Sequence, residues 1–482
     1  MAEKGSQGVS YTNVSSDYFD KRGLERHAGL LALWALGVAA VISGDFSGWN
    51  FGIAEAGWGG LLIATILVTI MYYGMLFSIG EMAAALPHTG GAYSFARSSM
   101  GPWGGFVTGF AETIEYVATT GVIVFFSASY ADSITKELFG LTMPVWIWWI
   151  ILYVAFLALN IKGAAVSFKF AIWVSFIALG VLAIFAVMAI FSGEFSFSNL
   201  TNIAPEAGNS TFLPMGVWAI VAAMPFAMWF FLGIEELPLA AEEAHNPTRD
   251  IPRAGLRGLG TLVITAILVL VLNPGITGAK ELSESGEPLL DGFRAILPNA
   301  DVAAILAAFA LIGLLASLQG IMFAYGRNIY SLSRAGYYPK VLSLTGSRKT
   351  PWTALIAGAL IGYAALLWAQ YGGESAGAVV LNIAVWGAVI AYFLQMVSYI
   401  LLNRNLPNLN RPYKSPVGVA GALVAALLAL LIFVGQALNP ALTTAIQAIA
   451  IVYVIGLVLF GLFGRKKLVL SPEERAAISG HN

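Results

Sequence analysis

Cysteine is absent from the 482 residues, which excludes disulfides and thiolate metal sites. Charge is scarce as well: Asp, Glu, Lys and Arg make up 11% of the chain, against about 25% in soluble domains. Hydrophobic residues take that place, at 58% of the total. A spanning helix needs roughly 20 mainly apolar residues, because the hydrocarbon core of a bilayer is about 30 Å thick. Apolar runs of that length predict about twelve transmembrane helices, at 30–54, 59–84, 102–130, 143–160, 164–192, 214–241, 256–277, 300–330, 351–369, 376–401, 416–435 and 441–464. The chain reads as an all-α membrane protein in the lipid bilayer. The first 29 residues are polar and carry no apolar core of a cleaved signal, so the first span acts as its own insertion signal.

Basic residues partition by loop. With a cytoplasmic N-terminus, only Lys136, Lys280 and Arg294 of the 25 Lys and Arg fall outside. This bias predicts a multi-pass cell-membrane protein with both termini cytoplasmic. The outer loop near 278–301 is acidic, carrying Glu281, Glu284, Glu287, Asp291 and Asp301.

Two spans contain residues that do not suit a helix interior. The first reads GVAAVISGDFSGWNFG over 37–52, with Gly44, Asp45, Ser47, Gly48 and Asn50 inside an apolar run. The sixth reads PFAMWFFLGIEELPLAAEE over 225–243, with Gly233, two carboxylates and Pro238. Glycine costs about 1 kcal/mol in a helix interior, and Ser, Asp and Asn compete for backbone hydrogen bonds. Within a membrane such a break is tolerated where the freed backbone lines a protein-enclosed cavity. Two interrupted helices five spans apart point to an inverted-repeat carrier with its substrate site at the midplane. The competing role of these glycines is close helix packing.

No metal, nucleotide or hydrolase motif is present, and no catalytic constellation accompanies the carboxylates, so a non-enzyme without a cofactor or nucleic-acid partner is expected. His27, His88, His245 and His481 are too far apart in sequence to suggest a metal cluster.

Four longer motifs carry a family resemblance: EMAAALPHTGGAYSFAR at 81–97, FLGIEELPLAAEEAHNPTRDIPRA at 231–254, GRNIYSLSRAGYYPK at 326–340 and RPYKSP at 411–416. Together they resemble the amino acid–polyamine–organocation transporter superfamily over nearly the whole chain. SGDFSGWNFG, LPHTGGAYSFAR and GFAETIEYV most resemble the ethanolamine permeases. The resemblance implies a LeuT-like five-plus-five inverted repeat with helices one and six unwound, two additional C-terminal helices, and alternating access. The implied organisation is a cytoplasmic tail over 1–29, repeats over 30–192 and 214–401, two further helices over 416–464 and a cytoplasmic tail over 465–482.

In amino acid carriers of this superfamily the unwound first helix is G-x-G-I-F, and its bare amides receive the substrate carboxylate. The matching stretch here is Ile42, Ser43, Gly44, Asp45 and Phe46, so the first glycine is lost and an aspartate replaces an apolar residue. A carboxylate there repels an acid group and favours an amine without one. Asp45 is the first candidate for the ammonium partner; its alternative role is to cap a helix end.

Glu112 and Glu115 share a face of the third span, and Glu235 and Glu236 lie on the sixth. An unpaired charge at a helix centre costs about 2.5–3.5 kcal/mol on insertion scales. No Lys or Arg occupies the middle of a predicted span to neutralise them. Glu115 or Glu112 is a second candidate for substrate contact, against a role in an interhelical hydrogen bond. Glu235 matches the family position that the resemblance associates with gating and protonation.

Trp229 and Phe231 flank the sixth-helix break beside Gly233 and can wall the pocket, with Phe46, Trp49 and Phe230 nearby. Ser317 and Gln319 on the eighth span can line the pathway or help bind an ion. Glu81, His88 and Arg97 are expected to tie the inner loop to the scaffold. The reading is a secondary carrier importing ethanolamine or a close small primary amine, with coupling to H⁺ or Na⁺ open. The alternatives are a carrier for cationic amino acids or polyamines, and a channel or membrane sensor. A channel would need an open polar path, and a sensor a large output domain.

Overall fold

Backbone amides and carbonyls in lipid have no partner other than one another, so the apolar runs wind into helices. The computed structural model describes residues 3–470 apart from 5, 13, 15–17, 19, 20, 89, 298 and 372–375; Arg475 and His481 lie outside the described residues. The principal helices are α1 (Leu30–Val41), α2 (Phe51–Ala85), α3 (Gly91–Phe139), α4 (Val145–Ile161), α5 (Ala164–Phe191) and α6 (Ala219–Met228). They continue as α7 (Pro247–Thr277), α8 (Ala300–Arg334), α9 (Trp352–Tyr371), α10 (Ala376–Asn405), α11 (Gly418–Leu438) and α12 (Thr443–Leu462). Among the described residues, nine helices are long and apolar enough to cross a membrane, and Leu30–Asp45, Val145–Ile161 and Ala219–Met228 are shorter apolar helices.

Hydrophobicity is arranged for lipid. Large apolar side chains stand exposed on the outside, among them Trp173 and Phe191 of α5, Leu360 of α9 and Val454 of α12. Acidic and amide side chains go the other way: Glu112, Glu115, Glu235, Glu236, Asn160 and Gln319 are all buried. In water the same chain would have to reverse this pattern.

Kinks fall where helix geometry fails. α2 bends at Gly57, whose φ of +70° suits glycine, so Phe51–Ala56 extends the first span and the remainder forms the second. α3 bends at Gly101, just before Pro102. The third predicted span is thus the apolar part of a longer helix, since the GGAYSFAR motif is itself helical.

The N-terminal segment, read from sequence only as a tail, packs onto the basic end of the bundle. Val9 is buried, the Tyr18 hydroxyl donates to the Arg334 carbonyl at 2.8 Å, and Arg22 Nε donates to Ser343 Oγ at 2.8 Å. Thr12 N–H donates to the Leu468 carbonyl at 2.7 Å, joining the two ends of the chain. At the opposite, acidic end, short helices Ala279–Ser283 and Pro288–Ile296 cover the bundle. There Asn50 donates to the carbonyls of Leu282 and Ser285 at 2.7 and 2.8 Å.

Glu81, His88 and Arg97 make the connections expected of an anchored loop. Glu81 pairs with Arg411 at 3.0 Å and accepts from the Tyr399 hydroxyl and the Ser415 amide, both at 2.8 Å. His88 Nδ1 accepts from the Gly90 amide at 2.8 Å, and Arg97 donates to the Val469 carbonyl at 3.3 Å.

Candidate substrate site

Both interruptions predicted from sequence are present. α1 stops at Val41, a 3₁₀ turn covers Ile42–Asp45, and regular helix resumes only at Phe51. α6 stops at Met228, the chain turns through Gly233, and a 3₁₀ segment covers Ile234–Glu243. Gly233 has a φ of +110°, a conformation that a side chain would strain. The breaks press together: a Cβ on Gly44 would lie 2.2 Å from the carbonyl oxygen of Trp229. Gly44 therefore permits a backbone contact that any other residue would block.

Ser317 of α8 fastens the α1 break. Its hydroxyl donates to the Ala39 carbonyl at 2.7 Å and accepts from the Ser43 amide at 2.8 Å, serving two groups that the broken helix leaves exposed. Gln319 is occupied too, in a reciprocal amide pair with Asn160 of α4 at 2.9 and 3.0 Å. These bonds assign both side chains to structure, where sequence had suggested pathway or ion contacts.

Asp45 is buried, yet neither carboxylate oxygen has a hydrogen-bond partner. It caps no helix end. Thr265 of α7 lies beside it, but the Thr265 hydroxyl is directed at the carbonyl of Leu262, 3.1 Å away. A desolvated carboxylate with no donor is costly unless a cation or proton joins it.

The other acidic residues gather where α3, α8, α10 and the segment after the α6 break meet. Glu112 accepts from Asn328 at 3.2 Å and from Tyr116 at 3.5 Å. Glu115 accepts from Tyr392 at 2.8 Å, and Tyr392 lies 3.2 Å from the Tyr72 hydroxyl. Glu235 accepts from the Gly233 amide at 3.0 Å, while both oxygens of Glu236 are without a partner. The guanidinium of Arg327, whose charge acts on Glu236, is already held by Glu243. The sequence places Arg327 near the cytoplasmic end of the span predicted over 300–330, and the packing of α8 against the 3₁₀ segment buries it completely.

Aromatic rings enclose the breaks. Trp49 stacks on Phe230 at 5.6 Å and Phe231 packs on Tyr72 at 5.5 Å. The Phe46 ring rests against Gly313, and the Phe46 carbonyl accepts from Tyr130 at 2.8 Å. The indole N–H groups of Trp49 and Trp229 are buried without an acceptor. Tyr72, Tyr392, Asn328 and Thr265 escape sequence reasoning because each lies on a different helix, away from the two breaks. The polar residues within those apolar runs are the only local signal.

A helical bundle with a lipid-suited exterior and two helices interrupted at a buried polar site is the architecture of a membrane transporter. Residues 32–471 match the model of the amino acid permease family, and the chain belongs to that family. It is 26% identical to the histidine permease of Lactococcus lactis over 85% of this chain and 86% of that protein. It is 25% identical to the lysine-specific permease of the same organism, covering 90% and 86%. An uncharacterized transporter of Rhizobium meliloti is 28% identical over 70% and 71% of the two chains. Among solved structures, the nucleobase-cation-symport transporter Mhp1, in a closed conformation, superposes with a TM-score of 0.52 at 16% identity, covering 95% of this chain and 99% of that one. That likeness concerns the fold.

Proposed function

We propose that the protein is a secondary carrier that imports ethanolamine or a close small primary amine by alternating access, using a five-plus-five repeat in the cell membrane with both termini cytoplasmic. The observation that carries the reading is Asp45, an unpartnered buried carboxylate at the α1 break. The ammonium docks there and completes its coordination on carbonyls freed at the two breaks. Glu112, Glu115, Glu235 and Glu236 make the surroundings acidic, and among the described residues none of the four forms an ion pair with Lys or Arg.

Trp49 and Trp229 supply N–H donors that suit the lone pairs of a hydroxyl. A substrate carboxylate would instead meet Asp45 at the segment where amino acid carriers offer bare amides. The names of the lysine and histidine permeases keep cationic amino acids as the second reading. A carrier rather than a channel is favoured because the site residues are buried instead of lining an open polar path.

Uptake of radiolabelled ethanolamine into proteoliposomes tests the proposal. Saturable uptake that excess unlabelled ethanolamine abolishes, and that lysine and putrescine leave intact, is expected. Uptake of lysine or putrescine without competition by ethanolamine would overturn it.

A further inference from the structure

At the acidic end of the bundle a cavity of about 470 Å³ lies between the first turns of α2 and helices α6, α10 and α11, with Glu55, Phe226, Asn382 and Gln436 in its wall. A chain of amide bonds fixes the polar side of that wall. Asn382 Nδ2 donates to the Ala378 carbonyl at 2.9 Å, which leaves Asn382 Oδ1 to accept from Gln436 Nε2 at 2.9 Å. Gln436 Oε1 is then left over: the side chain is buried, and this oxygen receives no hydrogen. Clamping α10 to α11 accounts for the Gln436 nitrogen and not for its oxygen. The half-buried Glu55 carboxylate is also unclaimed, entering neither an ion pair nor a hydrogen bond among the described residues.

An amide oxygen and an ionised carboxylate accept hydrogen bonds and cannot donate them, and the carboxylate repels anions. A bare metal ion would leave most of the volume empty, whereas small-molecule sites run from about 300 to 1,000 Å³. Pro225, Phe226 and Val379 make the rest of the wall apolar. The wall thus suits a small organic cation that carries N–H donors, a primary ammonium.

We infer that this cavity is a second binding site for a primary amine, a docking site that loads the buried site at Asp45. Phe226 connects the two. Its ring lies edge-on to Phe51 at 6.2 Å, and Phe51 packs on Phe126 at 6.1 Å. Phe126 closes in turn on Gly48 of the α1 break, 3.2 Å from where a Cβ would stand. Three rings therefore separate the cavity from the break, and their displacement is the step between docking and loading.

This inference rests on the amine reading above, and the variants separate the two. The purified full chain is dialysed to equilibrium against saturating labelled ethanolamine, with a melting curve to establish that each variant is folded. Two amines should bind per chain in the unmodified protein and one in Glu55→Gln. Gln436→Met, which keeps the length of the side chain and removes the orphaned oxygen, should also bind one. Asp45→Asn should bind one, and Glu55→Gln combined with Asp45→Asn none. Tetramethylammonium, a cation without N–H donors, should leave the amine bound to Asp45→Asn in place. A single amine that Glu55→Gln and Gln436→Met leave untouched and Asp45→Asn removes would overturn the docking site, with water as the content of the cavity and the amine reading intact. A single amine that survives Asp45→Asn and is lost in Glu55→Gln would instead remove Asp45 from amine binding and keep the docking site. Absence of binding to the unmodified protein would overturn both.

Discussion

Arg327 grips Glu243 with two nitrogens: Nε donates to one carboxylate oxygen at 3.0 Å and Nη2 to the other at 2.7 Å, with both side chains sealed from solvent. The guanidinium also lies over the Phe323 ring at 3.7 Å. The pair pins α8 to the end of the 3₁₀ segment, where the Glu243 carbonyl further accepts from the amides of His27 and Ala28 at 2.8 and 2.9 Å. Removing one partner of a buried ion pair strands the other charge and costs about 3–5 kcal/mol. Arg327→Ala should therefore lower the thermal midpoint of the purified protein by several degrees. Arg327→Lys should recover only part of that loss, because a lysine cannot reproduce the planar fork. An unchanged midpoint in Arg327→Ala would remove the anchoring role.

Asp45 makes a different prediction, since it has no partner to lose. Asp45→Asn keeps the shape while removing the charge that attracts an ammonium. Ethanolamine affinity should fall at least about tenfold, roughly 1.4 kcal/mol. The thermal midpoint without substrate should hold or rise, because an uncompensated buried charge has been removed. Equilibrium binding of labelled ethanolamine beside a melting curve reads both quantities, and unchanged affinity would take Asp45 out of the site.

At Gly44 a single methyl is the probe. The added Cβ would fall 2.2 Å from the Trp229 oxygen, so Gly44→Ala must separate the two breaks. Overpacking of this kind costs about 1–3 kcal/mol. Uptake should drop sharply even where the protein still assembles in the membrane, as size-exclusion chromatography would establish. Normal uptake by this variant would mean that the contact is dispensable.

The Asn160–Gln319 pair can be separated from substrate chemistry by a double-mutant cycle. Each single change to alanine leaves a buried amide unsatisfied, at about 1–3 kcal/mol. Asn160→Ala with Gln319→Ala should cost less than the sum of the two singles, read from thermal midpoints. Strict additivity would show that the two amides do not interact.

Much of the bundle was legible in the sequence because it follows from local rules. Membrane-length apolar runs become helices wherever they occur, and the residues that break them, Gly44 to Gly48 and Gly233, do so through their own backbone preferences. The motifs that carry the family resemblance are equally local, and the match to the amino acid permease family agrees with the broader, superfamily resemblance. Even the acidity of the site could be read from Asp45, Glu112, Glu115, Glu235 and Glu236 as they stand in the chain.

Which of those carboxyls keep a partner was decided only by tertiary structure. Sequence spacing puts Glu112 and Glu115 on one helix face, but the packing of α8 and α10 gives Asn328 to the first and Tyr392 to the second. The same packing engages Ser317 and Gln319 in structural bonds and buries Arg327 against Glu243. It also folds the N-terminal segment across the basic end. Hydrophobic length and helix breaking are properties of a few consecutive residues, whereas a hydrogen-bond partner hundreds of positions away depends on how the helices cross, and no local pattern encodes that.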